Sequence, residues 1–297
     1  MRLLIFGSGG QLGRELADTA GNRTDLLATC LSRSQADIAD PAKVHEVLSA
    51  IRPDVIVNAA AYTKVDLAES ETDAAWQANC KGPATLAAAC EMMGAPLIHI
   101  STDYVFDGTK TSPYVETDPV APLGVYGASK EAGETAVRDR CRRHVILRTS
   151  WVYGPHGTNF LKTMLRLAGE RESWGVVADQ VGTPTATPDL ANAIFATARR
   201  AHEPDCPWGT YNFAGAGEAN WHEFASVIIS AQVPITGRRP DVRAITTAEY
   251  PTKVRRPANS RLDSRRFADA FGVTARPWRE RVPPIVLKVL QRSGDVQ

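Results

Sequence analysis

Residues 3–16, LLIFGSGGQLGREL, pass from an apolar run through a cluster of glycines into a helical pattern, with Gly7, Gly10 and Gly13 at spacing GxxGxxG. Each of the three has a distinct use when a strand must turn into a helix beneath a pyrophosphate. The first permits the tight turn, the second lets backbone approach the phosphates, and the third allows the helix to pack closely on the strand. The helix N-terminus then offers free N–H groups to the anion. An ordinary turn would also account for three glycines. Their place between a first strand and a first helix predicts a dinucleotide site built on Gly7, Gly10, Gln11 and Leu12.

The next 140 residues repeat the strand-then-helix theme. Apolar runs at LLATC (26–30), DVIVNAA (from 54), PLIHIST (from 96) and HVILRTS (from 144) are separated by helical patterns such as PAKVHEVLSAIR and PATLAAACEMMG. Continuous apolar strands alternating with helices predict a parallel sheet covered on both faces, an α/β doubly wound sheet of the Rossmann fold, which binds ligands at the carboxyl ends of its strands. Beyond residue 154 the pattern loosens. GVVADQ is expected as a sixth strand, TPDLANAIFATARR as a helix and YNFAG as another short strand. The expected division is a dinucleotide-binding domain of residues 1–154 and about 175–204, with a smaller, discontinuous substrate domain of about 155–174 and 205–297.

Composition narrows the partners. Thirty-four Lys and Arg against 33 Asp and Glu leave a formal charge of +1, so no global field draws the chain to nucleic acid or to an anionic membrane. An anionic ligand must be held locally. No stretch approaches the roughly 18 to 20 apolar residues that span a bilayer, and the first apolar run is too short for a signal peptide. Five cysteines, with no CxxC pair, indicate neither a zinc site nor a full disulfide framework. The expectation is a soluble, unprocessed protein of the reducing cytoplasm.

Two further stretches bear on the cofactor. After the second strand, where an acidic residue usually holds an NAD ribose, the sequence reads LSRSQADIAD, with Ser32 and Arg33 nearest. Arginine there suits a 2′-phosphate and favours NADPH, with NADH still open and a solvated surface arginine the rival explanation. Asp37 and Ile38 lie where an adenine would sit. Ala59, Ala60, Ala61 and Tyr62 follow the third strand, where small side chains let a cofactor approach backbone, although a buried strand predicts the same alanines.

YGASK, residues 126–130, sets a phenol and an ammonium at i and i+4, on one face if the segment is helical. An ordinary tyrosine, with a pKa of about 10, is a poor acid or base near neutrality; a neighbouring lysine and a nicotinamide cation would lower it. Such a phenol can protonate a carbonyl oxygen as hydride reaches the carbon. By itself Tyr-x-x-x-Lys is commonly a surface pair. It gains meaning downstream of the Gly7/Gly10/Gly13 loop and after a strand ending Ser101-Thr102.

Together these motifs resemble the extended short-chain dehydrogenase/reductase superfamily. FGSGGQLGREL, NAAAYTKVDLAESE, HISTDYVFDG, YGASKEAGE, RTSWVYG, NFLKTML, DQVGTPT and RRPANSRLD look more narrowly like the successive motifs of the dTDP-4-dehydrorhamnose reductase family, from about residue 3 to 263. The resemblance implies an NAD(P)H-dependent oxidoreductase acting on a dTDP-4-keto-6-deoxy sugar. Thr102 would hydrogen-bond the C4 carbonyl, Tyr126 would protonate it, and Lys130 would orient the ribose. Ser101 would join the cofactor contacts. Asp103, Tyr104, Val105 and Phe106 would form the adjoining wall, Trp151 would face the substrate, and Asn159 and Arg256 would contact the sugar nucleotide, with Asn259 and Ser260 near the latter.

Some members of the family are described as holding Mg²⁺ at a dimer interface through glutamates. Glu15 matches the first such position, but Pro188 stands at the second and Asp189 is one residue out of register, so no metal is expected and a homodimer is left open. Two alternatives stay in view. One is a related dTDP-4-keto-deoxysugar reductase of an antibiotic pathway, similar to dihydrostreptose synthase. The other is a non-catalytic NADP-binding regulatory subunit, similar to the β subunit of methionine adenosyltransferase. The presence of Thr102, Tyr126 and Lys130 together favours an enzyme.

Overall fold

The first half of the chain builds a sheet one strand at a time. In the computed structural model, which describes residues 1–294, β1 (Arg2–Phe6) leads through the glycine loop into α1 (Gln11–Gly21) and then β2 (Leu27–Leu31). Next come α2 (Pro41–Ile51) and β3 (Val55–Asn58), the short helices α3 (Val65–Ala68) and α4 (Thr72–Trp76), and one π-helical turn, Gln77–Lys81, running into α5 (Gly82–Met93). β4 (Leu97–Thr102), α6 (Val125–Arg140) and β5 (His144–Thr149) complete this half. Helix starts follow local chemistry. Asp40 caps α2 by accepting from Ala42 N and Lys43 N, at 3.0 and 3.1 Å, with Pro41 in the first turn.

The second half holds β6 (Val152–Tyr153), α7 (Phe160–Glu170), β7 (Ser173–Val177), β8 (Val181–Gly182), β9 (Thr185–Ala186) and α8 (Thr187–Arg200). It continues with β10 (Gly209–Asn212), β11 (Ala219–Asn220), α9 (Trp221–Thr236), β12 (Asp241–Ile245), β13 (Asn259–Ser260), α10 (Arg265–Phe271) and α11 (Trp278–Ser293).

The main sheet has the order β10-β5-β4-β3-β1-β2 and is parallel throughout. One face packs Leu16, Leu190, Ile194 and Phe195 of α1 and α8 against the strands; the other packs Val44, Leu48 and Leu86 of α2 and α5. A sheet buried on both faces explains why β1 and β3 to β5 read as continuous apolar runs. The chain reverses direction across the sheet between β1 and β3, and the carboxyl ends of these strands form the crevice such sheets use for ligands.

One strand expectation is corrected. The GVVADQ segment does not join the main sheet: β7 pairs in parallel with β12, Ser173 against Asp241 through Val177 against Ile245. The sixth strand is β10, paired with β5 from Gly209 against Val145 to Asn212 against Arg148, within a stretch expected to belong to the smaller domain. Around β7, a second core gathers Trp174, Phe224, Ile228, Trp278 and Val286. No helix of the described residues is long and apolar enough to cross a membrane.

Candidate active site

The glycine loop has the shape its sequence predicts. Gly7 adopts φ +90°, and a Cβ there would come within 2.5 Å of Ala60 N, so the loop after β3 lies directly against the loop after β1. A Cβ on Gly13 would meet the Gly7 carbonyl oxygen at 2.1 Å. Gly10 precedes α1 in extended conformation and no side chain caps the helix, so its first-turn N–H groups are available to an anion. These features fit a dinucleotide pyrophosphate. Leu12 packs partly buried on the main core.

The surroundings are tied down by buried polar groups. Asn58 accepts from Ala60 N at 3.1 Å and donates to His99 Nδ1 at 3.0 Å, while burial keeps His99 neutral by lowering its pKa. Asn79, within the π-helical turn, accepts from Tyr62 N at 2.8 Å and donates to Tyr62 O at 3.0 Å and to Ser129 Oγ at 3.1 Å. Ser129 in turn donates to Tyr126 O at 2.8 Å, which couples the Ala59–Tyr62 loop to the helix carrying Tyr126. π-Turns recur at functional sites because they re-aim single side chains; the sequence carries no local sign of this one. Ala61 is exposed and Tyr62 half-buried, its hydroxyl donating to Glu71 at 2.8 Å.

Beyond β2, Arg33 is exposed and paired with Asp37 at 3.0 Å, and Asp37 also accepts from Ala39 N. A largely solvated guanidinium beside Ser32 remains free to turn toward a phosphate. Ile38 is buried in the core, its side chain lying against Gly82.

Thr102 ends β4, Asp103 opens the 3-10 turn that follows it, and Tyr126 and Lys130 lie on the buried face of α6. Tyr126 is nearly enclosed and edge-on to Tyr104, with ring centroids 5.5 Å apart. Burial pushes its phenol well above the ordinary tyrosine value, and the nearby Thr102 hydroxyl works in the opposite direction. The expected lowering by a neighbouring lysine is therefore not what the protein alone supplies: desolvation dominates and Tyr126 stays a protonated phenol. Lys130 is 2% exposed, donates to Ile100 O at 2.6 Å, and is brought down to about 8 by burial, with Glu134 opposing.

Thr102 Oγ1 donates to Asp103 Oδ1 at 3.1 Å and accepts from Tyr104 N at 3.2 Å. Asp103 is raised to about 6 by burial, which outweighs hydrogen bonds from Ser260 and Thr102; its Oδ2 has no hydrogen-bond partner among the described residues. Arg256 reaches over this corner, donating to the Tyr104 hydroxyl at 3.3 Å and pairing with Asp66.

Several expected contacts take other parts. Ser101 Oγ donates to Glu134 at 2.6 Å and so faces the helix. Val105 and Phe106 are fully buried with Tyr114, Ala214 and Leu262, Phe106 stacking on Tyr114 at 4.3 Å; they support the wall from behind and do not line it. Asn159 caps α7 through Lys162 N and donates to Gln11 and to Gly154 O, so both ends of its amide are engaged. Asn259 likewise holds Lys110 O and Ser112 O. Glu15 accepts from Thr187 at 2.7 Å, and Asp189 is paired with Arg281.

Trp151 has φ +46°, a left-handed conformation rare for a bulky residue. Its ring is held between Trp221, stacked at 3.5 Å and 10°, and Gly182, where a Cβ would come within 2.3 Å of the indole. Trp221 had no mark in the sequence, since the stack joins β6 territory to the start of α9.

The comparisons with known proteins agree with this geometry. A family model described as the RmlD substrate binding domain matches residues 1–291. The chain is 43% identical to a dTDP-4-dehydrorhamnose reductase of Sinorhizobium fredii, covering 99% of this chain and 100% of the relative. It is 41% identical to that of Escherichia coli, covering 94% and 95%. Among solved structures, a dTDP-4-dehydrorhamnose reductase from Bacillus anthracis in complex with NADP has a TM-score of 0.88 at 36% identity, covering 97% of this chain and 99% of that one. A UDP-glucose 4-epimerase from Brucella ovis, at 19% identity and a TM-score of 0.79, shares the fold. The chain belongs to the dTDP-4-dehydrorhamnose reductase family.

Proposed function

We propose that the protein is an NADPH-dependent oxidoreductase that reduces the C4 ketone of dTDP-4-dehydro-L-rhamnose to give dTDP-L-rhamnose. The observation that carries the reading is the placement of Tyr126 and Lys130 on the buried face of α6, packed against the carboxyl end of β4 where Thr102 stands, in a sheet whose glycine loop fits a dinucleotide. NADPH, when bound, supplies a hydride to the carbonyl carbon. Thr102 polarises the ketone oxygen, and Tyr126, kept a phenol by burial, delivers its proton there. Lys130 holds the ribose and stabilises the phenolate that results. Gly7, Gly10 and the α1 N-terminus hold the pyrophosphate, and Arg33 meets the 2′-phosphate, which favours NADPH over NADH.

On the substrate side, Asp103 and Tyr104 face the sugar, Trp151 closes the mouth of the site, and Arg256 exchanges part of its pairing with Asp66 for the diphosphate. We assign the cofactor to residues 1–154 with α8 and β10, and the sugar nucleotide to the remainder. Five free cysteines support a cytoplasmic setting.

The test is NADPH oxidation with dTDP-4-dehydro-L-rhamnose generated in situ from dTDP-glucose, followed by NMR of the product. Formation of dTDP-L-rhamnose is expected. A cofactor that binds but is not consumed would turn the reading toward a non-catalytic role, and a different sugar product would move it to a related pathway.

A further inference from the structure

Glu134 is a buried carboxylate that the chemistry above does not use. It lies one turn beyond Lys130 on α6, with its side chain fully enclosed. It accepts from Ser101 Oγ at 2.6 Å, from Arg148 Nε at 2.9 Å and its NH2 group at 2.6 Å, and from Arg138 NH1 at 3.0 Å. Ser101 and Arg148 face each other in the β4–β5 register, and their neighbours Thr102 and Thr149 form the next pair. Arg148 is itself only 4% exposed and lies over the Phe106 ring at 5.0 Å. One carboxylate thus clamps the helix of Tyr126 and Lys130 to the strand end that presents Thr102.

We propose that Glu134 is a positioning residue for the reaction: it fixes α6 on the ends of β4 and β5, and its negative charge holds the buried Lys130 in the ammonium form. This rests on the reductase reading for its consequence in turnover, while its effect on Lys130 belongs to the protein alone. The groups facing the pair are Arg148 from β5, Ser101 and His99 from β4, and Arg138 and Tyr126 from α6. His99 is neutral and Tyr126 is a phenol. Burial lowers Lys130, and Glu134 opposes that lowering. Burial also raises the Glu134 carboxyl, yet its bonds to Arg148 and Ser101 outweigh this and keep it ionised. Removing the charge would leave the buried Arg148 without its counter-ion, a costly arrangement, and Lys130 without the negative charge that opposes its desolvation.

The experiment is titration of Lys130 by NMR in protein carrying lysine labelled with ¹³C at Cε, its resonance assigned with Lys130→Met, in wild type and Glu134→Gln. A fall of the Lys130 titration by about one pH unit or more is expected in the variant. In turnover, the alkaline limb of kcat should move down by a similar amount, with activity largely restored at the acid end. An unmoved lysine titration overturns the proposal even if activity drops, because a merely structural loss lowers the rate at every pH. If Glu134→Gln does not fold, Glu134→Gln/Arg148→Met removes both charges, and the same downward direction is expected; an unchanged or upward titration there overturns it. Wild-type protein that consumes no NADPH would sink the reductase reading and leave the lysine titration to decide the role of Glu134.

Discussion

Trp151 stacks flat on Trp221, ring centroids 3.5 Å apart and planes 10° from parallel, while its own backbone sits at φ +46°. The stack and the missing side chain of Gly182 hold a strained residue in place at the entrance of the proposed sugar site. Trp221→Ala removes one side of that sandwich. The expected result is a rise in KM for the sugar nucleotide of about tenfold with kcat within about threefold, the signature of lost ground-state and transition-state binding alike. Steady-state kinetics at saturating NADPH check it; an unchanged KM would remove Trp221 from the site.

Tyr126→Phe keeps the ring against Tyr104 and deletes the proton donor. A general acid contributes about 10²- to 10⁴-fold, so kcat should fall at least about 10²-fold while NADPH affinity stays within about twofold. Cofactor fluorescence titration and turnover, measured on one preparation, separate the two effects. Near-normal kcat would exclude the phenol as donor.

Asp103, raised to about 6 by burial, links stability to pH with a definite sign. The folded state binds the proton more tightly than the unfolded chain, so the contribution is fully present below about pH 4 and is lost as pH rises through about 6. Asp103→Asn removes this dependence. Urea denaturation should show the variant gaining on wild type by about 2 kcal/mol between pH 4.5 and 8. A difference that does not change with pH would show that the carboxyl titrates normally.

Gly13 lies so close to the Gly7 carbonyl that any side chain must push α1 off the sheet. Gly13→Ala should therefore weaken NADPH binding more than about tenfold and lower Tm by several degrees, whereas Gly9→Ala, with open space around it, should do neither. Thermal melts with and without NADPH test both.

Much of this was legible in the chain because it is local. The GxxGxxG loop, the apolar strands of the parallel sheet and the i, i+4 relation of Tyr126 and Lys130 follow from steric and periodic rules acting over a few residues. The strand identity of GVVADQ was legible too. Its partner was not, because parallel pairing is decided by distant chain, and β12 rather than β5 meets it. The same holds within the site. The family resemblance implied ligand contacts for Ser101, Asn159 and Phe106, but hydrogen bonding and packing turned Ser101 to Glu134, engaged Asn159 as a helix cap and buried Phe106 under Arg148. The direction of the Tyr126 shift also belongs to tertiary structure: a neighbouring lysine in sequence predicts a lowered phenol, whereas enclosure, which sequence spacing does not encode, raises it. The sequence by itself determined the fold class and which groups can do chemistry; how far each is desolvated, and which buried partner claims its hydrogen bonds, was decided only when distant segments closed around them.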